Sequence, residues 1–242
     1  MNCKTFLRSA ALSALVLVLA ACGGGGAVDS GSPSDSGTGN PVPADSPGSG
    51  GLPGPSSGTE LHAGIGASNA QPTGRPYVWS QEVQVEQPIK GDDPFCIPSN
   101  QPATPRIGRG GLVRVCLGFR NTRAVPVTVT LPPGLIFVSN ELQSQNGLVL
   151  TNTPIVVPPS ATTWYAPVYL YCLNLGRLPT TGGQNTYKTG PLTDDTSLLE
   201  LLALLKDKQV PLSFEFKLQQ ILWDITDGTG LTQDDRNALA AL

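Results

Sequence analysis

The chain has 242 residues and a net charge of −3, with 39% hydrophobic and 14% charged residues, 28 glycines and 23 prolines. A mildly acidic balance makes nucleic acid a poor partner and gives no electrostatic attraction to anionic lipid. One histidine, His62, serves the whole chain, which leaves little room for imidazole chemistry.

In chain order, residues 1–21, "MNCKTFLRSAALSALVLVLAA", carry Lys4 and Arg8, then an apolar run and no acid. That is the pattern of an export signal. The run ends at Leu19-Ala20-Ala21-Cys22-Gly23, which resembles the lipobox of bacterial lipoproteins: a large apolar residue, two small ones and the cysteine to be lipidated. The resemblance implies acylation of Cys22, an envelope location and, with glycine rather than aspartate after the cysteine, the outer membrane if the host is Gram-negative. Removing Lys4 and Arg8 leaves thirteen basic against eighteen acidic residues, a net −5 for the mature chain.

Residues 22–75 begin with the lipidation site and continue as a Gly/Ser/Pro-rich stretch. Such a composition buries too little apolar surface to offset the entropy of ordering, so it reads as a disordered tether with a reach of roughly 40 Å. On this reading His62 belongs to the tether and the folded part contains no histidine.

From residue 76 to 190, alternating apolar residues predict strands at 77–86, 112–121, 125–131, 134–139, 147–151, 153–157 and 164–173, punctuated by Pro, Gly and Asn. That is the rhythm of an antiparallel sandwich. "VTVTLPPGLIFVS" and "PIVVPPSATTWYAPVYLYC" resemble the immunoglobulin-like modules of bacterial surface proteins, which implies a fold and not a task. Residues 191–242 change to helical periodicity. "TDDTSLLELLALLKDK" reads as a buried helix capped by Thr193 or the neighbouring acids, and Phe214, Leu218, Ile221, Leu222 and Ile225 fall on one face of a second helix. Thr232 and Asp235 open a third with a capping box. The expected class is α+β: an immunoglobulin-like β-sandwich followed by about three helices.

After lipidation of Cys22, the cysteines Cys96, Cys116 and Cys172 remain, in an oxidising compartment that favours disulfides. Strand parity in "LVRVCLGFR" puts Cys116 on the face opposite Val113, Val115, Leu117 and Phe119. Cys96 lies in the Pro-rich loop "GDDPFCIPSN", and parity in "VYLYCL" puts Cys172 with Val168 and Leu170 on the core side. A Cys96–Cys116 bridge with Cys172 free is the expectation; a bridge from Cys172 to Cys96 or Cys116 is the alternative. A free Cys172 can be a small apolar core residue. "YCLN" and "LQQILW" also resemble the two short motifs of bacterial thioester adhesion domains. That resemblance implies Cys172 and Gln219 as a bonded pair, formed when a thiolate attacks the glutamine amide and ammonia leaves, with Gln220 the neighbouring glutamine.

Other chemistry finds little support. With His62 in the tether, serine–histidine catalysis and His-containing zinc sites are excluded from the folded part. No phosphate loop or dinucleotide fingerprint occurs, so no cofactor is expected. "DITDGTGLTQDD" fails as a calcium loop because Trp223 and Ile225 fall at ligand positions. "PRIGRGG", with Arg106 and Arg109, is either an anion-binding or a solvated loop. Carboxylate-only catalysis would need two converging acids, and the acidic pairs read as helix caps. The sequence therefore points to a non-enzymatic protein, lipid-anchored in the membrane, that binds an unknown protein or polysaccharide, with Trp79 or Trp164 as candidate contacts.

Overall fold

The computed structural model describes residues 62–92, 95–180 and 182–242. The segments expected to be an export signal and most of a tether, with Cys22, lie outside the described residues. Eleven strands are defined among them: β1 (Gly74–Pro76), β2 (Gln84–Val85), β3 (Ile89–Gly91), β4 (Ile107–Gly108), β5 (Val113–Arg120), β6 (Val127–Leu131), β7 (Leu135–Ser139), β8 (Gly147–Leu148), β9 (Thr153–Val157), β10 (Trp164–Cys172) and β11 (Thr186–Thr193). Three helices follow: α1 (Thr196–Leu205), α2 (Glu215–Thr226), entered through a single 3-10 turn, and α3 (Gln233–Ala240). The class is α+β, with a mixed, largely antiparallel sheet and its helices at the C-terminal end.

Strand pairing closes on itself. β5 pairs with β3, β3 with β11, β11 with β7, β7 with β8, β8 with β10, and β10 again with β5, all antiparallel. Only β4 joins in parallel, along Val168 and Tyr169 of β10. Closure of this kind leaves few exposed strand edges. β6 and β9 form a separate two-stranded ribbon, whose Val127, Val129, Leu131, Ile155 and Val157 join the interior of the circuit.

A second core lies on the outer face of β7, β8 and β10. Leu135 and Phe137 point into the circuit, while Ile136 and Val138 meet the helices. β10 divides in the same way, with Val168, Leu170 and Cys172 inside and Tyr171 with Leu173 against the helical layer. Both faces of these strands are thus dry, which explains why "LIFV" reads as a continuous apolar run rather than an alternation.

The helices follow the expected periodicity. α1 is capped by Asp195, whose carboxylate accepts from Ser197 and Leu198 N–H. α2 buries Leu218, Ile221, Leu222 and Ile225, and α3 opens with the Thr232–Asp235 capping box. Phe216, on the opposite side of α2 from that stripe, is 70% exposed.

Two differences from the sequence reading stand out. First, ordered structure begins ahead of Pro76. Asn146 and Asn174 side chains donate to Gly64 O, Asn174 also to Gly66 O, and Gly66 N–H donates to Leu173 O. Ile65 joins the helix-side core, and His62 Nδ1 lies 2.6 Å from Asp195 Oδ2. The folded part therefore does contain a histidine, correcting the expectation that it had none. Two buried asparagine side chains supply partners to a segment whose own composition promised no order. Second, the predicted strand 77–86 is reduced to Gln84–Val85, while β1, β3, β4 and β11 went unforeseen. β11 contains Gly190 and Pro191, and its pairing with β7 shifts register between Thr189 and Leu192 to accommodate them.

Because β7 is covered on both faces, truncation at consecutive positions should be equally harmful. Ile136→Ala and Phe137→Ala are each expected to cost about 2–5 kcal/mol. The exposed Thr128→Ala on β6 should stay within about 0.5 kcal/mol. Urea unfolding measures all three; a strand with one wet face would spare Ile136→Ala.

Candidate functional site

The end of β10 is where sequence-predicted residues converge. The β5–β10 register stops at Leu170 opposite Val113, so Cys172 lies two residues past the last β5 partner. Gln219 of α2 fills the role: Cys172 N–H donates to Gln219 Oε1 at 2.9 Å, and Gln219 Nε2 donates to Cys172 O at 3.0 Å. A carboxamide presents one acceptor and two donors in a plane, so it reproduces the pairing of a neighbouring peptide group. Gln219, between Leu218 and the Leu222 stripe, is only 6% exposed, and a buried amide requires such partners. Gln220 is exposed and takes no part.

The Cys172 thiol belongs to the apolar interior of the strand circuit and is fully buried. Burial pushes its pKa up to about 12, because an apolar surround penalises the thiolate. The structure thus brings Cys172 and Gln219 into contact through main chain and carboxamide, with the thiol held in its protonated form. Tyr171 hydroxyl and Trp223 Nε1, both near this seam in sequence, are buried without a hydrogen-bond partner. Burial raises the Tyr171 pKa, with a further push from the Glu215 charge.

Immediately beside β10 runs the "PRIGRGG" segment. Gly110 has φ 102°, and a Cβ there would lie 2.2 Å from Leu170 O and 2.7 Å from Tyr171 N. Glycine is therefore required by both conformation and contact. Gly110 N–H donates to Glu215 Oε1 at 2.6 Å, and Arg106 Nη2 donates to the same oxygen at 2.5 Å. Arg106 also lies over the Tyr169 ring, 4.5 Å from its centroid. The loop does bind an anion, namely the carboxylate that opens α2.

The other candidates fall into place singly. Cys96 and Cys116 form a disulfide with Cα atoms 5.6 Å apart. The Cys96 loop covers the outer face of β5, leaving both cysteines buried. Trp79 donates through Nε1 to Thr189 Oγ1, and its ring stacks edge-on between Tyr77 and Phe119. The Trp164 ring lies 6.5 Å from that of Phe119, tilted by 33°. Both tryptophans are partly buried against the core rather than displayed as a patch. Asp227 caps the end of α2, and among the described residues no group of three or more His, Cys, Asp or Glu side chains could hold a metal ion.

Sequence reasoning missed the His62–Asp195 pair at the start of α1. Asp195 was visible as a cap, but nothing local to His62 signals a partner 133 residues away. Among the described residues no hydroxyl or thiol is hydrogen-bonded to His62. Compared with known proteins, the chain matches no family model, no curated protein sequence and no solved structure.

Two measurements follow from this geometry. Gln219→Leu strands the Cys172 N–H and C=O and should destabilise by about 2–4 kcal/mol, whereas Gln220→Leu should be neutral within about 0.5 kcal/mol; denaturant unfolding separates them. Cys172 should resist alkylation at pH 8 in the native protein and react fully in denaturant. Since the folded thiol holds its proton above the ordinary value of 9.0, its contribution to stability is present below pH 9 and is lost as pH rises toward 12.

Proposed function

We propose that the chain is an envelope lipoprotein, anchored in the outer membrane through acylated Cys22, whose folded domain is a non-enzymatic binding module for a protein or polysaccharide. The observation that carries the reading is the Cys96–Cys116 disulfide, taken with first residues that resemble an export signal and a lipobox. Disulfides persist in oxidising compartments, so the fold and the N-terminus point to the same address. Acyl chains on Cys22 supply the anchoring; no helix among the described residues is long and apolar enough to cross a membrane. We propose further that the layers are related to the immunoglobulin-like kind; support comes from the strand rhythm and from the β6–β9 ribbon sharing one core with β5 and β10, while the closed circuit of the main sheet departs from two separate sheets.

A second reading is favoured by one specific observation: Gln219 touches Cys172, as the thioester resemblance requires. On that reading the Cys172 sulfur bonds to the Gln219 amide carbon, ammonia leaves, and a partner's amine later displaces the sulfur. The buried, protonated thiol and the doubly engaged amide favour the first reading.

Intact mass decides between them. The expected mass is that of the acylated chain with the disulfide and an unmodified glutamine. A deficit of one ammonia, reversed by methylamine and abolished by Cys172→Ala, would establish the thioester instead. Cys22→Ser should abolish acylation and release the chain from membranes. This released chain should be retained by isolated envelope material if the domain is a binding module, and flow through if it is not.

A further inference from the structure

A groove of ≈ 1310 Å³ runs between the Pro105–Arg109 segment and the connector from α1 to α2, with Leu150–Pro154 along its floor. Its lining carries Arg106, Arg109, Lys206 and Lys208 against one acid, Asp207, in a chain whose net charge is −3. Arg106 is neutralised by Glu215, and Lys208 Nζ meets the uncharged Ala240 O at 3.2 Å. Arg109 and Lys206 form no ion pair among the described residues. The connector turns at Asp207, whose φ of 62° is the one positive value at a non-glycine among the described residues. The turn brings both flanking lysines onto the groove lining.

Three chemistries therefore meet in one concavity. Cations stand on both walls, Arg109 partly buried and Lys206 exposed, and a concavity lined mainly by one sign of charge focuses their field. Uncharged hydrogen-bonding groups, Thr151, Asn152 and Gln209, lie among them, and the flat faces of Pro105, Pro133 and Pro154 supply apolar surface. Ring hydroxyls, C–H faces and spaced carboxylates are the complement of that set. The wall segment already holds one carboxylate, that of Glu215, on Gly110 N–H and Arg106.

We propose that this groove binds a carboxylate-bearing polysaccharide, with Arg109 and Lys206 contacting its carboxylates from opposite walls. The assignment rests on the reading of the domain as a binding module and names its ligand class and site.

The test uses the full-length chain in detergent at low ionic strength. The probes are polygalacturonate, neutral dextran and polyglutamate, and binding is measured by titration calorimetry. Polygalacturonate should bind, dextran and polyglutamate should not, and added salt should weaken the complex. Arg109→Glu with Lys206→Glu should weaken it about tenfold or more. The control Arg120→Glu with Lys188→Glu, at exposed positions off the groove, should leave it unchanged, and circular dichroism should show all variants folded. Equal binding by all variants overturns the groove assignment, as does binding of dextran or polyglutamate in place of polygalacturonate. If none of the probes binds while envelope material still retains the Cys22→Ser chain, the groove assignment fails and the binding module survives. Loss of both removes both.

Discussion

The paired hydrogen bonds between the Gln219 carboxamide and the Cys172 main chain join the two halves of this molecule. β10 is shared by two cores, and Gln219 fixes the helical layer to its end. Apolar burial supplies the bulk of the stabilisation, at about 1.5–3 kcal/mol for each large side chain. The amide bonds contribute less, about 0.5–1.5 kcal/mol net apiece. What they set is position: an apolar helix face can slide on an apolar sheet, whereas a carboxamide must meet a specific peptide group.

Glu215 and Gln219 stand four residues apart on α2, the spacing that puts side chains on one helix face. Glu215 is held by Gly110 N–H and Arg106, and Gln219 by Cys172. Gly110 in turn lies against the Leu170 and Tyr171 main chain. Glycine-rich loop, strand end and helix start therefore form one polar seam between the apolar cores. The same loop forms one wall of the cationic groove, so the seam that registers the helix also shapes the proposed ligand site.

Much of this was legible in the sequence where local pattern controls structure. The parity of Val113 through Phe119 separated Cys116 from the core face, and the disulfide follows it. The stripe from Leu218 to Ile225 and the Thr232–Asp235 box emerged where expected, because helix periodicity and capping are short-range. β11 was not legible: "TYKTGPLT" has no alternation of its own and becomes a strand only because β3, β7 and β1 pair with it. The segment from His62 to Gly66 is ordered by Asn146 and Asn174, far away in sequence, and no local signal marks that. Gln219 was found through a resemblance, yet its main-chain partnership depends on where β5 ends, which no motif encodes.

The central claim is that Gln219 serves as a peptide surrogate for Cys172, and nuclear magnetic resonance hydrogen exchange tests it most directly. The account predicts slow exchange of both the Cys172 amide and the Gln219 side-chain NH2 group, with protection of the Cys172 amide lost in Gln219→Leu. Exchange of both groups at the rate of exposed amides, or a Cys172 amide equally protected in Gln219→Leu, would contradict it.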